Sequence, residues 1–139
     1  METSNMEKTY QEIANVLVEI IPEDWSKIYL YAEYGEGYKK VFFYYYPTAN
    51  EKPIYSLDIP HDFKVDVENH NIMRRKLYDL FEVLWMEFKE HDQEQWTLLT
   101  FILDNTGEMK IDYSYEDIAD LSPTDKQDEW EAKYLTKGS

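Results

Sequence analysis

The chain has 139 residues, a formal net charge of −15 and no cysteine. That length fits one domain whose core needs neither disulfide nor metal, and the missing cysteines exclude disulfides, thiolate catalysis and cysteine-based zinc sites. The charge opposes binding to nucleic acid and anionic lipid, yet 17% of the residues are aromatic and 13 are tyrosines, unlike acidic disordered chains. An ordered negative surface that attracts basic partners is therefore expected.

The first residues lack the basic stretch and apolar run of a signal peptide, and no apolar run approaches the ~20 residues of a membrane helix. A soluble cytoplasmic protein with no membrane partner is expected. Residues 1–135 read as a single domain and 136–139 as a flexible tail, whose Gly138-Ser139 resembles a vector-derived remnant.

Met6, Tyr10, Ile13, Leu17, Ile20 and Ile21 recur at helical spacing. Ser4 or Asn5 is the expected cap of this helix, and Pro22 its end. Ile28 to Tyr34 and Lys39 to Tyr46 read as a hairpin across Gly35-Glu36-Gly37. Both faces of these strands carry large side chains, so one face is expected on helices and the other as an exposed tyrosine-lined surface. Pro53 to Pro60 is held between prolines and reads as an edge strand or loop. A long helix follows from Val67 to Glu90, with Met73, Leu77, Leu80, Leu84 and Phe88 as its stripe.

Trp96 to Leu103 and Glu108 to Tyr115 read as a second hairpin, with Asp104-Asn105-Thr106-Gly107 as its turn. Met109, Ile111, Tyr113 and Tyr115 alternate with Lys110, Asp112 and Ser114, which predicts one buried and one wet face. Ser122-Pro123-Thr124-Asp125 has the pattern of a capped helix start, and Trp130 and Tyr134 could dock that short helix. The predicted fold is α+β: an antiparallel sheet of two hairpins, with the N-terminal and central helices packed on one side and a short C-terminal helix.

Catalytic patterns are missing. His61, His70 and His91 lack the spacing of a metal pair and read as surface or semi-exposed side chains. Asp104-Asn105-Thr106-Gly107-Glu108 is too short for a calcium loop. There is no nucleophile elbow and, with four glycines, no phosphate loop. No metal and no cofactor is expected. Carboxylate pairs are unavoidable in so acidic a chain, so a hydrolase using them is a weak alternative. Direct nucleic-acid binding is opposed too, since Lys39-Lys40 and Arg74-Arg75-Lys76 are the only basic clusters.

The acids themselves are the remaining signal. Asp112, Glu116, Asp117, Asp120, Asp125, Asp128, Glu129 and Glu131 are opposed within their span only by Lys126. A solvated face accounts for most such runs; the sharper reading is a protein-binding surface. Tyrosine offers contact area at low entropic cost, and carboxylates pair with Arg and Lys. Asp112, Tyr113, Tyr115, Glu116, Asp117 and Asp120, with Glu33, Tyr44 and Tyr46 on the first hairpin, are the candidate partner-binding residues.

Four stretches carry a family resemblance. Ile21-Pro22-Glu23-Asp24-Trp25-Ser26-Lys27-Ile28-Tyr29-Leu30-Tyr31-Ala32-Glu33, Lys52 through Pro60, Trp96 through Asp104, and Gly107 through Ile118 resemble, in order, segments of the YezG-type antitoxins, a family that includes EsaG-like proteins. The resemblance implies a single immunity-protein domain that binds the C-terminal domain of a nuclease toxin exported by type VII secretion, in the cytoplasm of the producing cell. It assigns no toxin contacts. The alternative is a non-inhibitory adaptor or chaperone for a basic partner.

Overall fold

The computed structural model describes residues 3–49 and 52–135, so the expected tail at 136–139 lies outside the described residues. Helix α1 (Ser4–Ile20) buries Met6, Tyr10, Ile13, Leu17 and Ile20, the predicted stripe. Its cap is Thr3, not Ser4 or Asn5: the Thr3 hydroxyl oxygen accepts from the Met6 amide at 3.0 Å. The same hydroxyl donates to Glu87 at 3.0 Å. A tertiary contact thus accompanies the cap, which local sequence could not reveal.

Strands β1 (Trp25–Gly35) and β2 (Tyr38–Pro47) form the first hairpin, turning through Gly37 at φ +85°, a region that side chains with a Cβ rarely enter. The segment between the prolines becomes a two-residue edge strand, β3 (Ile54–Tyr55), then a 3₁₀ turn (Ser56–Asp58) and the one-turn helix α2 (Ile59–Asp62). Helix α3 spans Val67–Glu90, and strands β4 (Leu98–Asp104) and β5 (Met109–Ser114) form the second hairpin. Its turn is tied by Asp104, whose carboxylate accepts from the amides of Thr106 and Glu108 at 2.9 and 3.1 Å, with Gly107 at φ +91°. The Thr106 hydroxyl also donates to it, and these bonds hold its carboxyl below its ordinary pKa. Among the described residues the strands make one antiparallel sheet in the order β3-β2-β1-β4-β5.

The strand alternation divides the side chains. Ile28, Leu30, Ala32 and Tyr34 of β1, Val41, Phe43 and Tyr45 of β2, and Leu99, Phe101 and Leu103 of β4 join α1 and α3 in the main core. His70 belongs to this buried interior at 3% exposure, against the expectation of a surface histidine. It lies in the first turns of α3, three residues before Met73 and seven before Leu77, so helical spacing continues the buried stripe onto a polar side chain. Burial, and then nearby Arg74, push its pKa down.

Helix α4 (Pro123–Tyr134) starts at the predicted cap, with Ser122 accepting from the Asp125 amide at 3.1 Å. It sits on the opposite face of the sheet. Tyr31, Phe42 and Tyr44 form a second core there with Trp130. The exposed tyrosine surface expected for the first hairpin is thus largely roofed.

Candidate protein-binding surface

The sheet face beneath α4 carries Tyr29, Tyr31 and Glu33 from β1, Phe42, Tyr44 and Tyr46 from β2, and Thr100 and Asp112 from β4 and β5. The registers Tyr31↔Phe42, Tyr31↔Thr100 and Thr100↔Asp112 align these rows. Trp130 inserts among them, 5.6–5.7 Å from the Phe42 and Tyr31 ring centres and near-perpendicular to both, a favourable edge-to-face geometry. Its indole N–H donates to the Thr100 hydroxyl at 2.9 Å.

Polar side chains complete the seat. Lys126 donates to Glu33 at 2.7 Å, with side-chain exposures of 12% and 4%. The Tyr31 hydroxyl donates to the other Glu33 oxygen at 2.7 Å. Tyr44 donates to Glu131, Gln127 donates to the Tyr44 oxygen at 2.9 Å, and Tyr134 donates to Asp112 at 3.0 Å. Burial, then the bonds to Glu33 and Glu131, raise the Tyr31 and Tyr44 phenols above the ordinary tyrosine range. Breaking one partner of such a buried ion pair typically costs ~3–5 kcal/mol.

The candidate residues therefore separate into groups. Glu33, Tyr44 and Asp112 come together under α4 as its anchors, the first two buried. Tyr113 points to the other face, where its hydroxyl bonds that of Tyr10 and its ring packs 5.1 Å from Phe88. Tyr46 lies 6.1 Å from Tyr29 beside an open groove of about 860 Å³ that also holds Lys27, Lys110 and Lys133. Asp104 and Glu108 line the same groove, so that corner carries charge of both signs.

Tyr115, Glu116, Asp117 and Asp120 sit together in the exposed segment between β5 and α4. Thr97 fixes its start by donating to the carbonyls of Ser114 and Glu116 at 3.1 and 2.7 Å. Asp117 accepts from the Ala119 amide at 3.1 Å, and Ile118 is buried. The segment thus holds its acids outward. Asp125, Asp128 and Glu129 continue the exposed acid along α4. Tyr115 and Leu121 add apolar area at 42% and 39% exposure. Lys126, the one base in this stretch, is turned inward to Glu33.

The immunity-protein family model described as YezG-like matches residues 6–137. The chain belongs to the YezG-like immunity protein family. Immunity protein YezG of Bacillus subtilis is 39% identical over 132 residues, covering 94% of this chain and 87% of that protein. Immunity protein YezG of Bacillus spizizenii is 36% identical over 137 residues, covering 97% and 85%. The type VII secretion system protein EsaG of Staphylococcus aureus is 37% identical over 112 residues, covering 81% and 69%.

In this YezG-like chain, sequence reasoning foresaw Trp130 and Tyr134 as docking residues but missed Lys126, Gln127 and Glu131. Local sequence carried no signal for them: Asp125, Asp128 and Glu129 flank Lys126 as ready counter-ions, and its actual partner, Glu33, lies 93 residues away. Among the described residues of this YezG-like protein no cluster of three or more His, Asp or Glu side chains could hold a metal ion. No described helix is long and apolar enough to cross a membrane.

Proposed function

We propose that this YezG-like chain is a cytoplasmic immunity protein that binds the nuclease domain of a cognate toxin and neutralises it without catalysis. The observation that carries this reading is the outward acid on the β5–α4 segment and α4: Glu116, Asp117, Asp120, Asp125, Asp128 and Glu129 are exposed, Lys126 between them is withdrawn to Glu33, and Lys133 in the last turn of α4 is the one exposed base of these two elements. A nuclease must hold phosphate and so presents a positive groove. Complementary charge steers encounter and fixes orientation. Tyr115 and Leu121 supply the apolar contact that charge alone lacks. The curated relatives support the immunity role through their names, and the EsaG name supports a link to type VII secretion.

Co-expression tests it. Cells producing a candidate cognate nuclease domain should grow when this chain is present and stop growing without it. Binding without rescue would favour the adaptor reading, and absence of both would overturn the proposal.

A further inference from the structure

Between α4, the β5–α4 segment and the sheet lies a pocket of about 240 Å³. That is below the ~300–1,000 Å³ of small-molecule sites and suits a single inserted side chain. Its floor is apolar and aromatic, with Tyr31, Leu98 and Trp130; its walls carry the carboxylates of Asp112, Glu116 and Glu129. Lys126 and Lys133 also line it. The Lys126 ammonium is matched by Glu33 at 2.7 Å, so the three carboxylates face Lys133 alone. Asp112 accepts one bond from Tyr134, and an ionised carboxylate has lone pairs for several.

We infer that this pocket receives an arginine side chain of the protein partner. An aromatic floor beneath carboxylates selects guanidinium over ammonium, because guanidinium is planar, weakly hydrated and forks onto carboxylates. Arginine seated in a partly desolvated pocket is also a common source of interface hot spots. The choice of a protein partner rests on the immunity reading above; the guanidinium preference rests on the pocket itself.

The pocket is tested without the toxin by titrating the protein with N-acetyl-arginine methylamide and following the Trp130 indole N–H by NMR. A saturable shift in the millimolar range is expected. It should be at least about tenfold weaker with the neutral citrulline analogue and similarly weakened in Glu116→Gln/Glu129→Gln. Ser114→Trp, which fills the pocket and removes no charge, should abolish it. If that variant does not fold, the double glutamine variant carries the test. No saturable shift, an equal response to citrulline, or an unaltered response in the double variant overturns the inference. Growth rescue separates the two readings. Wild-type rescue matched in full by folded Ser114→Trp sinks the pocket and leaves the immunity role, whereas failure of wild-type rescue sinks that role whatever the pocket binds.

Discussion

Replacing Lys126 by Met keeps most of the side-chain stem and deletes the charge opposite Glu33. At 2.7 Å and an effective dielectric near 20, the gross attraction is about 6 kcal/mol. Desolvation of both groups cancels part of it, and removing one partner of such a pair costs ~3–5 kcal/mol. The chain has one escape: α4 can leave the sheet and let Glu33 meet water. That route costs the docking of α4, dominated by Trp130 at 4% exposure. Burying an aromatic of ~150–250 Å² at ~25 cal/mol/Å² sets about 4–6 kcal/mol as its upper bound. The first route costs ~3–5 kcal/mol and the second is bounded at about 4–6, so the loss should be about 3–5 kcal/mol, or roughly 9–15 °C in Tm for a domain of this size. Urea unfolding measures the total, and amide exchange over 123–134 reports whether α4 opens locally. Adding Glu33→Gln should recover at least ~2 kcal/mol, since a neutral amide no longer needs the ammonium. A Lys126→Met protein within ~0.5 kcal/mol of wild type, with α4 amides equally protected, would refute this account of how the helix is held.

Three further outcomes follow from named contacts. His70 has a folded pKa depressed by burial and then by Arg74, so the unfolded chain takes up its proton first; stability should fall as pH drops below about 6.5, and His70→Gln should flatten that part of the pH–stability curve measured by chemical denaturation. Gly107→Ala places a Cβ at φ +91°, where a side chain costs roughly 1–2 kcal/mol, and thermal unfolding should show that loss. Asp117→Asn/Asp120→Asn/Asp128→Asn changes only exposed residues outside the pocket; its thermal midpoint should stay within the range of surface substitutions, ~0.5 kcal/mol, while association with the nuclease domain slows by roughly 3–10-fold at low salt.

Much of the fold could be read from local pattern. The stripe from Met73 to Phe88 is long and strictly helical, and α3 occupies the predicted residues. The second hairpin was set by Asp104 and Gly107, whose turn chemistry is local. The side of the sheet taken by α4 was not legible. Both faces of the first hairpin are aromatic, so the pattern could not tell a roofed face from an open one. Glu33 and Tyr44 looked like surface groups because their partners, Lys126 and Glu131, lie 93 and 87 residues further along the chain. Polar burial of that kind depends on distant partners, whereas His70 is buried by its place on the α3 stripe, three residues before Met73, and its ring Nε2 has no hydrogen-bond partner among the described residues. Glu116, Asp117 and Asp120 have the exposure expected of them, whereas Tyr115, in the row expected to be buried, is 42% exposed because β5 ends at Ser114 and the alternation stops there.

The most direct test of the central claim is the association rate of this chain with the purified nuclease domain, measured by stopped flow across a salt series. The account predicts fast association at low ionic strength, above the unassisted ~10⁵–10⁶ M⁻¹s⁻¹, that slows steeply as salt rises. A slow rate indifferent to salt, or no association, would contradict it.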